Sequence, residues 1–168
     1  DVPPVENWIN GELSALQISK ISIESLLQRS PIKLNPIHIV EHINDKVVMI
    51  TGAAGSIGSE LSRQICYLNP KFVVFIDHSE SPLYDLQQEL VRKHPELIDR
   101  FEFQIANVRN EETMKRIFSL FNPQLVYHSA AYKHVPLMEH NPFSAINTNV
   151  FGTVNIANLS IEYNVEKF

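Results

Sequence analysis

The stretch that most constrains this chain is Val47-Val48-Met49-Ile50-Thr51-Gly52-Ala53-Ala54-Gly55-Ser56-Ile57-Gly58. A short apolar run, the length of a buried strand, breaks into three glycines at three-residue spacing. Helix-forming sequence follows at once, Ser59-Glu60-Leu61-Ser62-Arg63-Gln64-Ile65. Each glycine answers a physical demand: one turns the chain, one lets backbone approach a pyrophosphate, one packs the helix against the strand. Gly52, Ala54, Gly55, Ser56, Ile57 and Gly58 are therefore candidate diphosphate contacts, using free amides at the positive end of that helix.

From about Lys46 onward, strand and helix patterns alternate. Residues 71–77 form a second short apolar strand ending in Asp77. Ser81-Pro82 then reads as a helix cap and first helical position, with Leu83, Leu86 and Leu90 on one face. Residues 101–106 make a third strand. Asn110 caps the next helix, Glu111 and Glu112 complement its dipole, and Met114, Ile117, Phe118 and Phe121 face inward. Residues 125–128 make a fourth strand. Asn141-Pro142 opens a long helix whose inward face is Phe143, Ile146, Val150, Val154, Ala157 and Ile161. Such alternation predicts an α/β fold, a Rossmann-like doubly wound parallel sheet of which this chain holds the first half, in strand order 3-2-1-4.

The chain ends on Val165-Glu166-Lys167-Phe168, which reads as the start of a fifth strand. It opens on Asp1 without an initiator methionine and reads as a piece excised from something longer. Residues 1–45 have another texture, with Pro3, Pro4, Pro31 and Pro36 and a short helical candidate over residues 23–29. They are expected to be a lead-in packing on a dinucleotide-binding domain at 46–168, with Trp8 as a docking anchor.

Composition narrows the function. With 168 residues and 44% hydrophobic content, one domain with a proper core is within reach. A formal charge of −5 argues against nucleic acid or an anionic membrane as principal partner. The single cysteine, Cys66, rules out an intrachain disulfide framework, fits a reducing cytoplasm and reads as buried filler in the first helix. No run approaches the roughly 20 apolar residues of a membrane span. No histidine and carboxylate set has metal-ligand spacing, and His38 and His42 sit in the proline-flanked lead-in.

Asp77 ends the second strand nineteen positions after Gly58, where a carboxylate meets the adenosine ribose hydroxyls. It repels a 2′-phosphate, and His78 and Ser79 follow in place of an arginine, so NAD is favoured over NADP. Asn107 could contact the adenine amino group, with Val108 packing on the ring; a plain turn residue is the alternative. Strand four ends in small residues, Ser129-Ala130-Ala131, where backbone must pass close to a cofactor. Tyr132-Lys133-His134-Val135-Pro136-Leu137-Met138-Glu139 comes next. Strand order reverses between strands one and four, so Lys133 and its neighbours Tyr132 and His134 are expected to border the crevice, with Lys133 and His134 toward any substrate in it. For His134 a hydrogen-bonded structural role competes with this.

Thr51-Gly52-x-x-Gly55-x-x-Gly58, the small-residue end of strand four and Asn149-Val150-Phe151-Gly152-Thr153 resemble the extended short-chain dehydrogenase/reductase superfamily. Within it, Gly55-Ser-Ile-Gly-Ser-Glu-Leu61, Asp77-His-Ser-Glu80 and Ala131-Tyr-Lys-His-Val-Pro-Leu-Met-Glu139 resemble the nucleotide-sugar 4,6-dehydratases of bacterial polysaccharide biosynthesis, the CapD type. Ser25-Leu-Leu-Gln-Arg-Ser-Pro31 is similar to the segment preceding that family's NAD-binding strand.

The resemblance implies a tightly held NAD(P) and a nucleotide-sugar partner such as UDP-N-acetylglucosamine. The implied reaction is oxidation at C4, loss of water across C5 and C6, and hydride return to C6. Lys133 is then a contributor on the cofactor and sugar side. Asn107 stands where the family usually has aspartate. The family's Thr-Asp-Lys segment and Tyr/Met-x-x-x-Lys helix, which hold the principal catalytic groups, would lie beyond Phe168. The chain is therefore expected to bind cofactor without turning over. Long relatives carry an N-terminal membrane region, which would place a parent on the cytoplasmic face of the inner membrane. A sugar epimerase of the same superfamily and a non-catalytic dinucleotide sensor stay open as alternatives. An uncovered sheet edge leaves room for homo-oligomers.

Overall fold

Alternation along two neighbouring apolar strands sends side chains to opposite faces and divides the core in two. The computed structural model describes residues 36–168, with side chains from residue 39 onward. The expectations for Trp8, the helix over 23–29 and the segment 25–31 lie outside the described residues. A helix α1 (Pro36–Ile43) leads into strand β1 (Val47–Thr51), helix α2 (Ser56–Cys66), strand β2 (Phe72–Asp77) and helix α3 (Glu80–Lys93). A 3₁₀ turn (Pro95–Arg100) precedes strand β3 (Phe101–Ile105), helix α4 (Glu111–Phe121) and strand β4 (Leu125–His128). Two short helices, α5 (Val135–His140) and α6 (Pro142–Ala145), a π-helical segment (Ile146–Gly152) and helix α7 (Thr153–Glu162) complete the described part.

The sheet is parallel throughout, in the order β3-β2-β1-β4. Val48, Ile50, Val73 and Phe75 pack with Ile43, Ile65, Leu83, Leu86 and Leu90 on one face. Met49, Val74 and Ile76 pack with Met114, Ile117, Phe118, Ile156 and Leu159 on the other. Both faces being covered is why β1 and β2 read as unbroken apolar runs. Each fully buried aliphatic or aromatic side chain contributes about 1.5–3 kcal/mol relative to exposure. Cys66 lies in the first cluster, and burial pushes its thiol up to about 12, so it acts as filler. Among the described residues, no helix is long and apolar enough to cross a membrane and no group of His, Cys, Asp or Glu is arranged to hold a metal ion.

Three sequence expectations shift. Helix α2 starts at Ser56 rather than Ser59, which places Gly58 inside its first turn. Helix α3 is capped by Ser79, not Ser81: the Leu83 amide bonds the Ser79 carbonyl at 3.2 Å, and Pro82 falls third, where no amide is needed. Asn110 does cap α4, its side chain accepting from the Thr113 amide.

The third difference is the largest. The long helix expected from Asn141-Pro142 is broken by the π-helical segment, and the face of Phe143, Ile146, Val150, Val154 and Ile161 is exposed. Thr148, Gly152, Ile156, Leu159 and Ser160 are buried instead. Gly152 lets this stripe approach the loop after β3, where a Cβ would lie 2.8 Å from Val108 Cγ2. Residues 165–168, read as the start of a fifth strand, run beside β4 through a parallel bridge, Leu125 to Lys167.

Candidate cofactor site

The reversal of strand order falls between β1 and β4, and the residues leaving both strands meet there. Thr51 is fully buried, and Gly52 turns the chain with φ +69°. A Cβ on Gly52 would come within 2.5 Å of the Ala130 nitrogen and 2.6 Å of its Cα, so only glycine fits the turn against the end of β4. The Ser129 hydroxyl closes this junction by donating to the Thr51 and Gly52 carbonyls at 2.8 and 3.2 Å. Gly58 packs beneath the loop: a Cβ there would collide with the Gly52 carbonyl oxygen and lie 2.7 Å from its carbon.

The loop is also hooked to β2. The Ala53 amide donates to the Ile76 carbonyl at 3.0 Å. Asp77, 7% exposed, accepts from the Ala54 amide through Oδ2 at 3.0 Å and from the Ser79 amide through Oδ1 at 2.9 Å. His78 Nδ1 stands 3.3 Å from the same Oδ1. One carboxylate thus fixes the glycine loop against the start of α3. Gly55, the residue before α2, is extended and brings no capping side chain, so the first-turn amides of α2 are left to an external acceptor.

A crevice runs over these groups. Gly52, Ala54 and Gly55 form its floor; Asp77, His78, Ser79 and Pro82 line one side; Ala106, Asn107 and Val108 line the second. Ser129, Ala130, Ala131, Tyr132 and Thr148 line the third. Asn107 is engaged in its own turn, its Oδ1 accepting from the Arg109 amide at 3.0 Å and from Arg109 Nε at 3.1 Å. Val108 is 5% exposed, and its carbonyl takes a 2.7 Å bond from Asn155 Nδ2.

Ser56, Ile57, Gly58, Lys133 and His134 do not line the crevice itself. Ser56 and Ile57 are exposed and Gly58 is buried under the loop. Lys133 reaches back across the loop, donating from Nζ to Ser56 Oγ at 2.5 Å. His134 is exposed and precedes α5, where its carbonyl, not its ring, accepts from the Leu137 and Met138 amides.

Sequence reasoning missed Ser79, Pro82, Ala106 and Thr148 as lining residues. It also gave no role to Asn149, whose side chain grips Tyr132 twice, accepting its N–H and donating to its C=O, both at 2.8 Å. Nor did it find the pairing of His128 with Thr51 and Thr153. The signal for Asn149 was present in Asn149-x-x-Gly152-Thr153, but no periodicity pointed to its partner.

Three comparisons place the arrangement among known proteins. A capsular polysaccharide biosynthesis protein, CapD, of Staphylococcus aureus is 39% identical over 99% of this chain, which covers 28% of that protein. A UDP-N-acetylglucosamine 4,6-dehydratase (inverting) of Campylobacter jejuni is 31% identical over 74% of the chain and 35% of its own length. A UDP-glucose 4-epimerase structure with UDP-glucose from Thermotoga maritima superposes with a TM-score of 0.61 at 30% identity, covering 73% of this chain and 36% of that one. The chain thus spans about a third or less of the length of these relatives. The polysaccharide biosynthesis protein family matches residues 48–168, which include the whole sheet except Val47 and the whole crevice. The chain belongs to that family, within the extended short-chain dehydrogenase/reductase superfamily.

Proposed function

We propose that this chain is the cofactor-binding part of a nucleotide-sugar-modifying enzyme, and within that class of a 4,6-dehydratase acting on a UDP-N-acetylglucosamine-like substrate. The observation that carries the reading is one crevice, at the β1/β4 switch point, around which a glycine floor, uncapped helix amides and a buried carboxylate converge.

These residues suit a nicotinamide dinucleotide. The amides of Ser56, Ile57 and Gly58 would hold its diphosphate, Asp77 its adenosine ribose, and Asn107 and Val108 would border its adenine. Ser129, Ala130 and Ala131 are small enough to let it lie against the end of β4. Lys133 supports the assignment in a second way. An ammonium at the positive end of a helix is unfavourable by itself, yet Lys133 Nζ sits on Ser56 at the start of α2. A diphosphate held between them reconciles the two positive groups. The Asp77 carboxylate repels a 2′-phosphate, which makes NAD the preferred form. When bound, such a cofactor supplies hydride acceptance from the sugar and hydride return to it. The crevice residues bind and orient; acid–base work on the sugar falls to the segments that the resemblance places after Phe168.

The test is an assay of a protein carrying this chain at the full length of its relatives, given UDP-N-acetylglucosamine and followed by mass spectrometry. A product lighter by one water is expected. An isomer of unchanged mass would favour an epimerase, the reading that the likeness to the Thermotoga maritima enzyme supports. An unaltered substrate, under conditions where the protein is folded and cofactor-loaded, would reject both.

A further inference from the structure

A hydrogen-bonded relay runs from the end of β1 to the loop bearing Lys133, and its proton positions can be assigned from geometry alone. The Thr153 hydroxyl donates to the Asn149 carbonyl at 2.8 Å. A hydroxyl has one hydrogen, so the 3.0 Å contact between Thr153 Oγ1 and His128 Nε2 requires the ring to be the donor. The neutral ring is then bare at Nδ1, and the Thr51 hydroxyl donates to it at 2.6 Å. Thr51 is fully buried and directly precedes Gly52. At the far end, Asn149 grips the N–H and C=O of Tyr132, the neighbour of Lys133. The relay crosses the π-helical segment, whose irregular turn carries Asn149 and ends beside Thr153. Such turns concentrate at functional sites.

We propose that His128, as its Nε2–H tautomer, is a positioning residue: it locks the end of β1 to the Thr153–Asn149 turn and so holds the Tyr132–Lys133 loop over the glycine cradle. It touches neither cofactor nor substrate. The protonation pattern and the order of the loop stand on the geometry above, whereas the effect on cofactor binding rests on the dinucleotide reading.

Two measurements on the 168-residue chain test this. Ring ¹⁵N spectroscopy should show His128 protonated at Nε2 and bare at Nδ1; the opposite tautomer would overturn the assignment. Thr153→Val keeps the shape of the side chain and removes the acceptor. Exchange of the Tyr132 amide should then quicken about fivefold or more, and NAD should bind about fivefold more weakly, the scale of one lost hydrogen bond. The amides of Ile156 and Leu159 should keep their wild-type exchange, and Thr153→Ser should restore both quantities. Unchanged Tyr132 exchange, or acceleration shared equally by Ile156 and Leu159, would show that Thr153 only supports the fold and would refute the proposal. A wild-type chain that ignores NAD while its Tyr132 amide responds to Thr153→Val would overturn the dinucleotide reading and support the relay.

Discussion

Gly58 sits inside helix α2, where replacement of glycine by alanine ordinarily gains up to about 1 kcal/mol of helix propensity. Here the opposite is expected. A Cβ at Gly58 would lie 2.7 Å from the Gly52 carbonyl carbon and 2.8 Å from Ser129 Oγ, and would collide outright with the Gly52 oxygen. Carbon atoms prefer about 3.5–4.0 Å, so α2 would have to retreat by roughly 0.8 Å or more. The obstructing atoms are mostly backbone, in a turn fixed by the Ser129 hydroxyl, and cannot rotate aside. Overpacking of this kind costs about 1–3 kcal/mol. With backbone as the obstacle the upper half of that range applies, and set against a propensity gain of about 1 kcal/mol, Gly58→Ala should lose about 1–2 kcal/mol, lowering the melting temperature by about 2–8 °C for a chain of this size. The displaced amides of Ser56 and Ile57 should weaken NAD binding as well. Gly55→Ala is the comparison, because its Cβ would stand 3.3 Å from the Gly52 oxygen and need only a small adjustment. Thermal unfolding by circular dichroism measures both. A Gly58→Ala protein as stable as wild type or more so would refute the packing argument.

Asp77→Asn should cost about 1–3 kcal/mol in chemical denaturation, because one of the two amide donors from Ala54 and Ser79 would then face an NH₂ group. The same change should narrow the preference for NAD over NADP; a variant with wild-type stability and unchanged preference would contradict both roles of the carboxylate. Lys133→Met should weaken NAD binding about tenfold at low salt and flatten its salt dependence, read by titration at two ionic strengths. For pH, burial holds His128 below its ordinary value of 6.5. The unfolded chain therefore takes up the proton first on acidification, and this contribution to stability is complete above about pH 6.5 and lost as pH falls through the lowered folded value. Melting temperatures should decline on that acid side, and His128→Gln should flatten the decline; an identical slope in the variant would remove His128 as its cause.

The strand order and the two-faced core were legible because β1 and β2 are apolar at every position but the last and each strand ends in a recognisable turn. The glycine loop was legible for a different reason: spacing alone demanded close backbone approach, and Gly52 and Gly58 meet that demand from Ala130 and the Gly52 carbonyl. Part of what remained hidden depended on contacts between distant segments, and part on which of two local signals won. The apolar repeat from Phe143 to Ile161 looked like a buried face, yet the neighbouring stripe of Thr148, Gly152, Ile156 and Leu159 packs inward, with Gly152 against Val108. The start of α3 moved to Ser79 because Asp77 captures the Ser79 amide two residues on, a local turn that outweighed the Ser-Pro signal. Asn107 serves the turn that was its alternative reading, its side chain held by Arg109 two residues on, whereas His128 found partners on two other elements, which no local pattern encodes.

The central claim is that the β1/β4 crevice binds a nicotinamide dinucleotide, and calorimetric titration of the purified 168-residue chain, freed of co-purified cofactor, addresses it most directly. A single saturable site for NAD, a weaker response to NADP and competition by ADP are the predicted result. A folded chain that binds neither dinucleotide would contradict the account, and tighter binding of NADP would contradict the role given to Asp77.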